Sequence, residues 1–168
     1  MSAVRLRRTR AADLPFVTAL ERHPDNRELI GQWSDALHLA AIAGDEGREH
    51  RIIEHHGAPA GYMISYDGRA EYGGVYLKRI LVADKERGTG FAALELFLEE
   101  MWQRPGVHFV WLCVRAANTR AFSLYRALGF RRFEPDADES ARLARRGDVP
   151  GEDVFRMRLI GTPYRGRG

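Results

Sequence analysis

The chain has 168 residues, 45% hydrophobic, 10% aromatic and 29% charged, which excludes disordered, collagenous and solenoid architectures and fits one domain long enough to bury a core. A single cysteine, Cys113, excludes an intramolecular disulfide and a four-thiolate zinc site, and suits a reducing cytosol. Basic residues number 26 against 23 acidic ones, a formal charge of +3 that suits an anionic cofactor yet is too small to select nucleic acid or an acidic substrate.

In chain order, Val4 to Arg8 alternates apolar and basic residues and predicts a strand, followed by a helix from about Ala11 to Glu21. Leu29, Ile30, Trp33, Leu37, Ala40 and Ala41 recur at spacings of three and four, so Asn26 to Ala43 reads as one or two amphipathic helices ending at Gly44. His50 to His55 and Gly61 to Tyr66 read as a hairpin across the break at residues 56–59. Val75 to Val82 reads as a central strand with Lys78 and Arg79 facing different surfaces. A long helix carries Phe91, Leu94, Leu98 and Met101 on one stripe and stops before Pro105. Phe109 to Val114 is the next strand, and a helix from about Asn118 to Leu128 closes on Gly129. Phe130 to Phe133 and Val154 to Ile160 form a last strand pair around a charged insertion, Asp136 to Asp153, with a short helix around Ser140 to Arg145. Residues 1–160 are expected to make one domain and residues 161–168 a flexible tail. No run approaches the apolar length of a signal peptide or a membrane span, so a soluble, cytoplasmic protein is expected.

The chemistry is concentrated in Leu81 to Leu96, where a strand passes through a glycine loop directly into a helix. Peptide N–H groups at a helix start lack intrahelical partners and the helix dipole adds positive charge, so a phosphate or pyrophosphate fits there. Gly88 and Gly90 remove side chains from the approach, and Arg87 can add a charge-assisted bond. GTGFAA at residues 88–93 formally satisfies the dinucleotide fingerprint, but five residues separate the strand from the glycines and no acid ends the next strand. A P-loop is absent, because neither lysine follows a glycine.

Arg87, Gly90 and Ala92 spell R-x-x-G-x-A, and Asn118 to Phe130 spells N-x-x-A-x-x-L-Y-x-x-L-G-F. Together these motifs resemble the GCN5-related N-acetyltransferases, the GNAT family, most strongly from Leu77 to Phe130. The resemblance implies an α/β (α+β) single domain: a mixed, twisted central sheet flanked by helices, with acetyl-coenzyme A lying between splayed central strands. Carried over by position, Ile80, Leu81 and Val82 would offer backbone groups to the acetyl and pantetheine portions. Arg87, Gly88, Thr89, Gly90, Phe91 and Ala92 would wrap the pyrophosphate, and Asn118 would bond to the pantetheine arm. Tyr125 would protonate the leaving thiolate as general acid. The implied reaction is direct, ternary-complex transfer of acetyl from acetyl-coenzyme A, the acyl-donor substrate, to a primary amine.

The family's bases have no counterpart here. Where amino-terminal acetyltransferases place an acid stands Cys113, and where histone-type relatives place one stands Tyr76. Glu71, just ahead of the central strand, is the candidate base, directly or through water. Cys113 reads as an inert strand residue. His55 and His56, adjacent on a strand, point to opposite faces and with His50 make no metal site. Trp33, Tyr62, Tyr66 and Tyr72 either line an amine pocket or fill the core. No nucleic-acid motif accompanies the RGRG tail. The expected partner is an amine acceptor, a small molecule or a protein amino terminus, with no membrane and a monomer or homodimer. The alternative is a coenzyme A binding module or sensor that has lost turnover.

Overall fold

The computed structural model describes residues 3–66, 73–85, 87–144 and 153–161. Its strands are β1 (Val4–Arg8), β2 (Arg48–His55), β3 (Ala58–Tyr66), β4 (Gly74–Val82), β5 (Phe109–Arg115), β6 (Arg131–Arg132) and β7 (Val154–Ile160). Its helices are α1 (Leu14–Arg22), α2 (Pro24–Arg27), α3 (Asp35–Ala43), α4 (Thr89–Gln103), α5 (Thr119–Ala127) and α6 (Ala137–Ala144). The strands form one sheet ordered β1-β2-β3-β4-β5-β7-β6, in which β4 and β5 are parallel and every other neighbouring pair is antiparallel.

One face of the sheet carries α4 and α5, whose Leu94, Phe97, Leu98, Met101 and Tyr125 pack with Val75, Leu77, Val110 and Leu112. The other carries α1 and α6 through Val17, Leu20 and Leu143, packed on Ile52, Tyr62, Tyr76 and Trp111. Because side chains alternate along a strand, Tyr76 and Leu77 enter different cores. A bulge interrupts that alternation: Ile64 pairs with Arg79 and Ser65 with Leu77, leaving Lys78 as the extra residue of β4. Beyond it, Arg79 turns toward α1 and Ile80 toward α4.

Local chemistry sets the helix boundaries. Ser34 caps α3 by accepting the Leu37 N–H at 3.2 Å, and Gly44 closes it at φ +86°. The helix predicted from Ala11 splits into a 3-10 turn, Ala11–Asp13, and α1, whose Pro15 suits a first turn. The predicted 26–43 helical segment is the end of α2, an irregular stretch and α3: His23 caps α2 by accepting the Asp25 N–H at 3.2 Å, and the next helix starts only where Ser34 caps it. The strand predicted from Phe130 to Phe133 shrinks to Arg131–Arg132, the stretch that pairs with β7. The helix expected around residues 140–145 lies at Ala137–Ala144, where Asp136 accepts the Glu139 N–H at 2.8 Å.

Candidate active site

β4 and β5 pair only from Gly74 with Phe109 to Tyr76 with Trp111, and beyond that rung they part. Strand edges that diverge leave peptide groups without a ladder partner, which a ligand rich in amides can satisfy. The opening is a cavity of about 500 Å³. Its floor is the outer part of β4, Tyr76 and Lys78 through Val82, and the facing Cys113, Val114 and Arg115 of β5.

One end of the cavity meets the glycine loop. Gly88 takes φ +69° just before α4, and Gly88, Gly90 and Phe91 line the cavity. A Cβ at Gly88 would meet nothing within 4 Å, whereas at Gly90 it would touch Leu124 and Val82 at ordinary contact distance. Arg87 is exposed and pairs with Asp84 at 2.7 Å; it, the buried Thr89 and Ala92 stand beside the cavity and not among its lining residues. From the other side α5 contributes Asn118, Arg120, Ala121, Leu124 and Tyr125. Asn118 Oδ1 accepts the Ala121 N–H at 3.2 Å as the helix cap, so its amide nitrogen is the atom it can turn to a ligand carbonyl. Tyr125 is buried, and burial pushes its phenol above the usual range, so it holds a proton at neutral pH.

The segment from Asn26 to Gly31 roofs the cavity. Lys85, from the loop before α4, donates to Asn26 Oδ1 and to the Asp25 carbonyl at 3.4 Å, and Arg115 donates to the Glu28 carbonyl at 3.2 Å. Spacing on the sequence did not reveal Asn26, Leu29, Ile30, Gly31, Lys85, Arg115 and Arg120 as lining residues. They come from three stretches far apart in sequence, residues 26–31, Lys85 and residues 115–120, and only the tertiary structure brings them together.

Behind Arg79 lies a buried polar chain. Glu21 Oε1 accepts from Tyr62 Oη at 2.5 Å and from Arg79 Nη1, and stands 3.1 Å from His38 Nε2. Its Oε2 accepts the Trp33 N–H at 3.1 Å. Burial pushes the Glu21 carboxyl up, but its bonds to His38 and Tyr62 and the charge of Arg79 outweigh this and hold it down at about 2. His38 Nδ1 is 3.1 Å from His50 Nε2, and His50 Nδ1 is 2.8 Å from Thr9 Oγ1. Burial, helped by His38, holds His50 down at about 4, so it is neutral. Glu21 is therefore spent on fixing Arg79.

Other expected residues fall differently. Tyr62 and Tyr66 fill the core, while Trp33 packs at its margin and lies 5.3 Å from the Arg79 guanidinium. Tyr72 and the candidate base Glu71 lie outside the described residues. Cys113 is only partly buried and faces the cavity; burial pushes its thiol up against the pull of Arg156 and Lys78. His55 and His56 do not point apart: His56 leaves the strand at φ +51°, which brings the two rings to 4.5 Å. Among the described residues no group of three His, Cys, Asp or Glu could hold a metal ion, and no helix is long and apolar enough to cross a membrane.

The family model described as "Acetyltransferase (GNAT) family" matches residues 10–130. Over 129 residues the chain is 36% identical to the mycothiol acetyltransferase of Renibacterium salmoninarum, covering 70% of the chain but only 36% of that protein's length. Among solved structures, the ribosomal-protein-S18-alanine N-acetyltransferase of Escherichia coli superposes with a TM-score of 0.68 at 24% identity, over 98% of this chain and 99% of that one. The spermidine N-acetyltransferase of Vibrio cholerae, in complex with coenzyme A and spermine, gives 0.71 at 18%, over 94% and 95%. The aminoglycoside acetyltransferase AAC(6')-Ib, in complex with coenzyme A, gives 0.72 at 21%, over 94% of each chain.

Proposed function

The chain belongs to the acetyltransferase (GNAT) family, and we propose that it transfers acetyl from acetyl-coenzyme A directly to a primary amine within a ternary complex. The observation that supports this most is the parting of β4 from β5 beyond Tyr76 and Trp111, which opens a cavity onto the glycine loop before α4. A pyrophosphate set against Gly88, Gly90 and the start of α4 meets unpaired N–H groups and the positive end of the helix. The amide-bearing pantetheine then runs between the strand edges, with Asn118 on one side and the backbone of Ile80, Leu81 and Val82 on the other.

In this reading the amine nitrogen attacks the thioester carbon, and a β4 peptide N–H at Leu81 or Val82 holds the oxyanion. The C–S bond breaks and the thiolate takes the proton of Tyr125, whose buried phenol is protonated at neutral pH. The amine's own proton passes to the candidate base Glu71, directly or through water; no carboxylate stands among the described residues lining the cavity.

The test pairs calorimetry with a thiol-release assay. Coenzyme A is expected to bind and to raise the melting temperature, since a ligand held only by the native state stabilises it by mass action. No calorimetric or thermal response at millimolar coenzyme A overturns the reading. Binding without thiol release across an amine panel selects the alternative, a coenzyme A binding module without turnover.

A further inference from the structure

We propose that Lys85 and Asn26 form a latch between the two ends of the cavity, by which a donor seated at the glycine loop holds the roof over the acceptor end; the inference goes beyond the acetyltransferase reading and rests on its donor site. The roof is thinly held. Asn26 is the one buried residue between Glu21 and His38, and no regular element separates α2 from α3. A segment with so few buried contacts opens locally at small cost.

Asn26 is also where that segment is pinned. Its Nδ2 donates to the Leu20 carbonyl at 2.8 Å, and its own carbonyl accepts the Leu29 N–H at 2.9 Å and the Ile30 N–H at 3.1 Å. One residue thus sets the turn that puts Leu29, Ile30 and Gly31 on the cavity. At the acceptor end that turn meets Arg79: a Cβ on Gly31 would lie 3.7 Å from Arg79 Nη2. The remaining atom of the Asn26 amide, Oδ1, accepts from Lys85 Nζ, which also reaches the Asp25 carbonyl at 3.4 Å. Lys85 lies in the loop that leads into Gly88 and lines the cavity with it. A pyrophosphate against Gly88 and Gly90 orders that loop and attracts the same ammonium, whose three N–H donors can serve a phosphate and the roof together. The donor therefore favours the latched state over the open one. By linkage, an acceptor that needs the roof in place binds better once the donor is seated.

Amide hydrogen exchange tests this with coenzyme A as the probe, on the unaltered protein and on Lys85→Met. The Ala92 N–H, bonded to the Gly88 carbonyl at 3.0 Å, reports on the donor end, and the Leu29 and Ile30 N–H groups report on the roof. Coenzyme A at a concentration shown by calorimetry to saturate is expected to slow exchange at both places in the unaltered protein. The roof should slow at least about 10-fold, the worth of one charge-assisted bond. In Lys85→Met, again saturated, Ala92 is expected to keep its protection while Leu29 and Ile30 lose theirs. Equal roof protection in the variant means that the pantetheine covers the roof directly, and it overturns the latch. Protection of Ala92 in the unaltered protein with the roof unchanged overturns it too and leaves the donor site standing. No protection anywhere and no calorimetric signal overturn the donor site as well.

Discussion

Tyr76 and Trp111 stack with ring centroids 4.0 Å apart and planes 15° from parallel, on the last rung where β4 and β5 are still paired. Both rings are fully buried, so the stack is where the closed sheet ends and the open cavity begins. Trp111→Ala is expected to cost about 3–5 kcal/mol, the usual loss for emptying a large aromatic site. Trp111→Phe should cost less than half of that, because the indole Nε1 has no hydrogen-bond partner to lose. Urea denaturation at constant m-value checks both, and a Trp111→Ala protein within about 1 kcal/mol of the parent would show that the stack does not brace the splay.

Gly90 separates binding from folding. Its Cβ direction meets only Leu124 and Val82 at ordinary contact distance, so Gly90→Val is expected to fold but to lose coenzyme A affinity by filling the approach to α4. Gly88, at φ +69° in open space, should respond in the opposite sense: Gly88→Ala strains the backbone by about 1 kcal/mol and leaves room for the ligand. Calorimetry on both variants decides, and normal coenzyme A binding by Gly90→Val would move the pyrophosphate elsewhere.

Tyr125→Phe removes the proposed proton donor and nothing else from the cavity wall. Turnover should fall about 10- to 1,000-fold with coenzyme A affinity nearly unchanged, the range spanned by general acids. An unaltered rate with a competent amine would take Tyr125 out of the mechanism.

The donor end was legible because its signals are local. Glycines at Gly88 and Gly90 ahead of a helix, an asparagine at a helix start and Tyr125 one helical face away each announce themselves within a few residues. The acceptor end was not, because it is assembled from distant pieces. Arg79 and Glu21 are 58 positions apart, and Arg115 reaches the Glu28 carbonyl across 87. Alternation assigned Lys78 and Arg79 to different faces but could not reveal the bulge opposite Ile64 and Ser65 that sets how they diverge. His38 and His50 illustrate the same limit: neither has a polar neighbour in sequence that predicts a buried chain from Thr9 to Glu21.

That chain makes stability depend on pH. His50 is held near 4 in the fold against 6.5 ordinarily, so below about pH 6.5 the unfolded chain takes up a proton that the native state does not. Glu21, held near 2 against 4.5, acts in the same direction further down. The stability tied to His50 is complete above its unfolded value and lost as pH falls toward 4, and that tied to Glu21 is lost between 4.5 and 2. Moving from pH 7 to pH 5 should therefore cost about 2 kcal/mol through His50, read from denaturation curves. His50→Gln should flatten that slope even if it lowers stability overall, and an unchanged slope would dissociate His50 from the effect.

Cys113 faces the cavity where an acetyl group would be passed, so a covalent acetyl-cysteine route has to be weighed against direct transfer. A nucleophilic cysteine needs its thiolate, and here burial pushes the thiol up more than Arg156 and Lys78 pull it down. Among the described residues nothing basic stands by to take its proton: those two neighbours are cations, and Glu21 is committed to Arg79 and Tyr62. Direct transfer is the expected outcome. Cys113→Ala should keep most of the activity, and initial rates with both substrates varied should give intersecting lines instead of the parallel lines of a ping-pong route. Because the substitution also removes a partly buried group beside Trp111, its stability is measured alongside, with a loss of about 1–2 kcal/mol anticipated. A folded but inactive Cys113→Ala protein, together with wild-type enzyme that can be isolated acetylated on Cys113, would make the cysteine the nucleophile and leave Tyr125 to serve only the first half of the reaction.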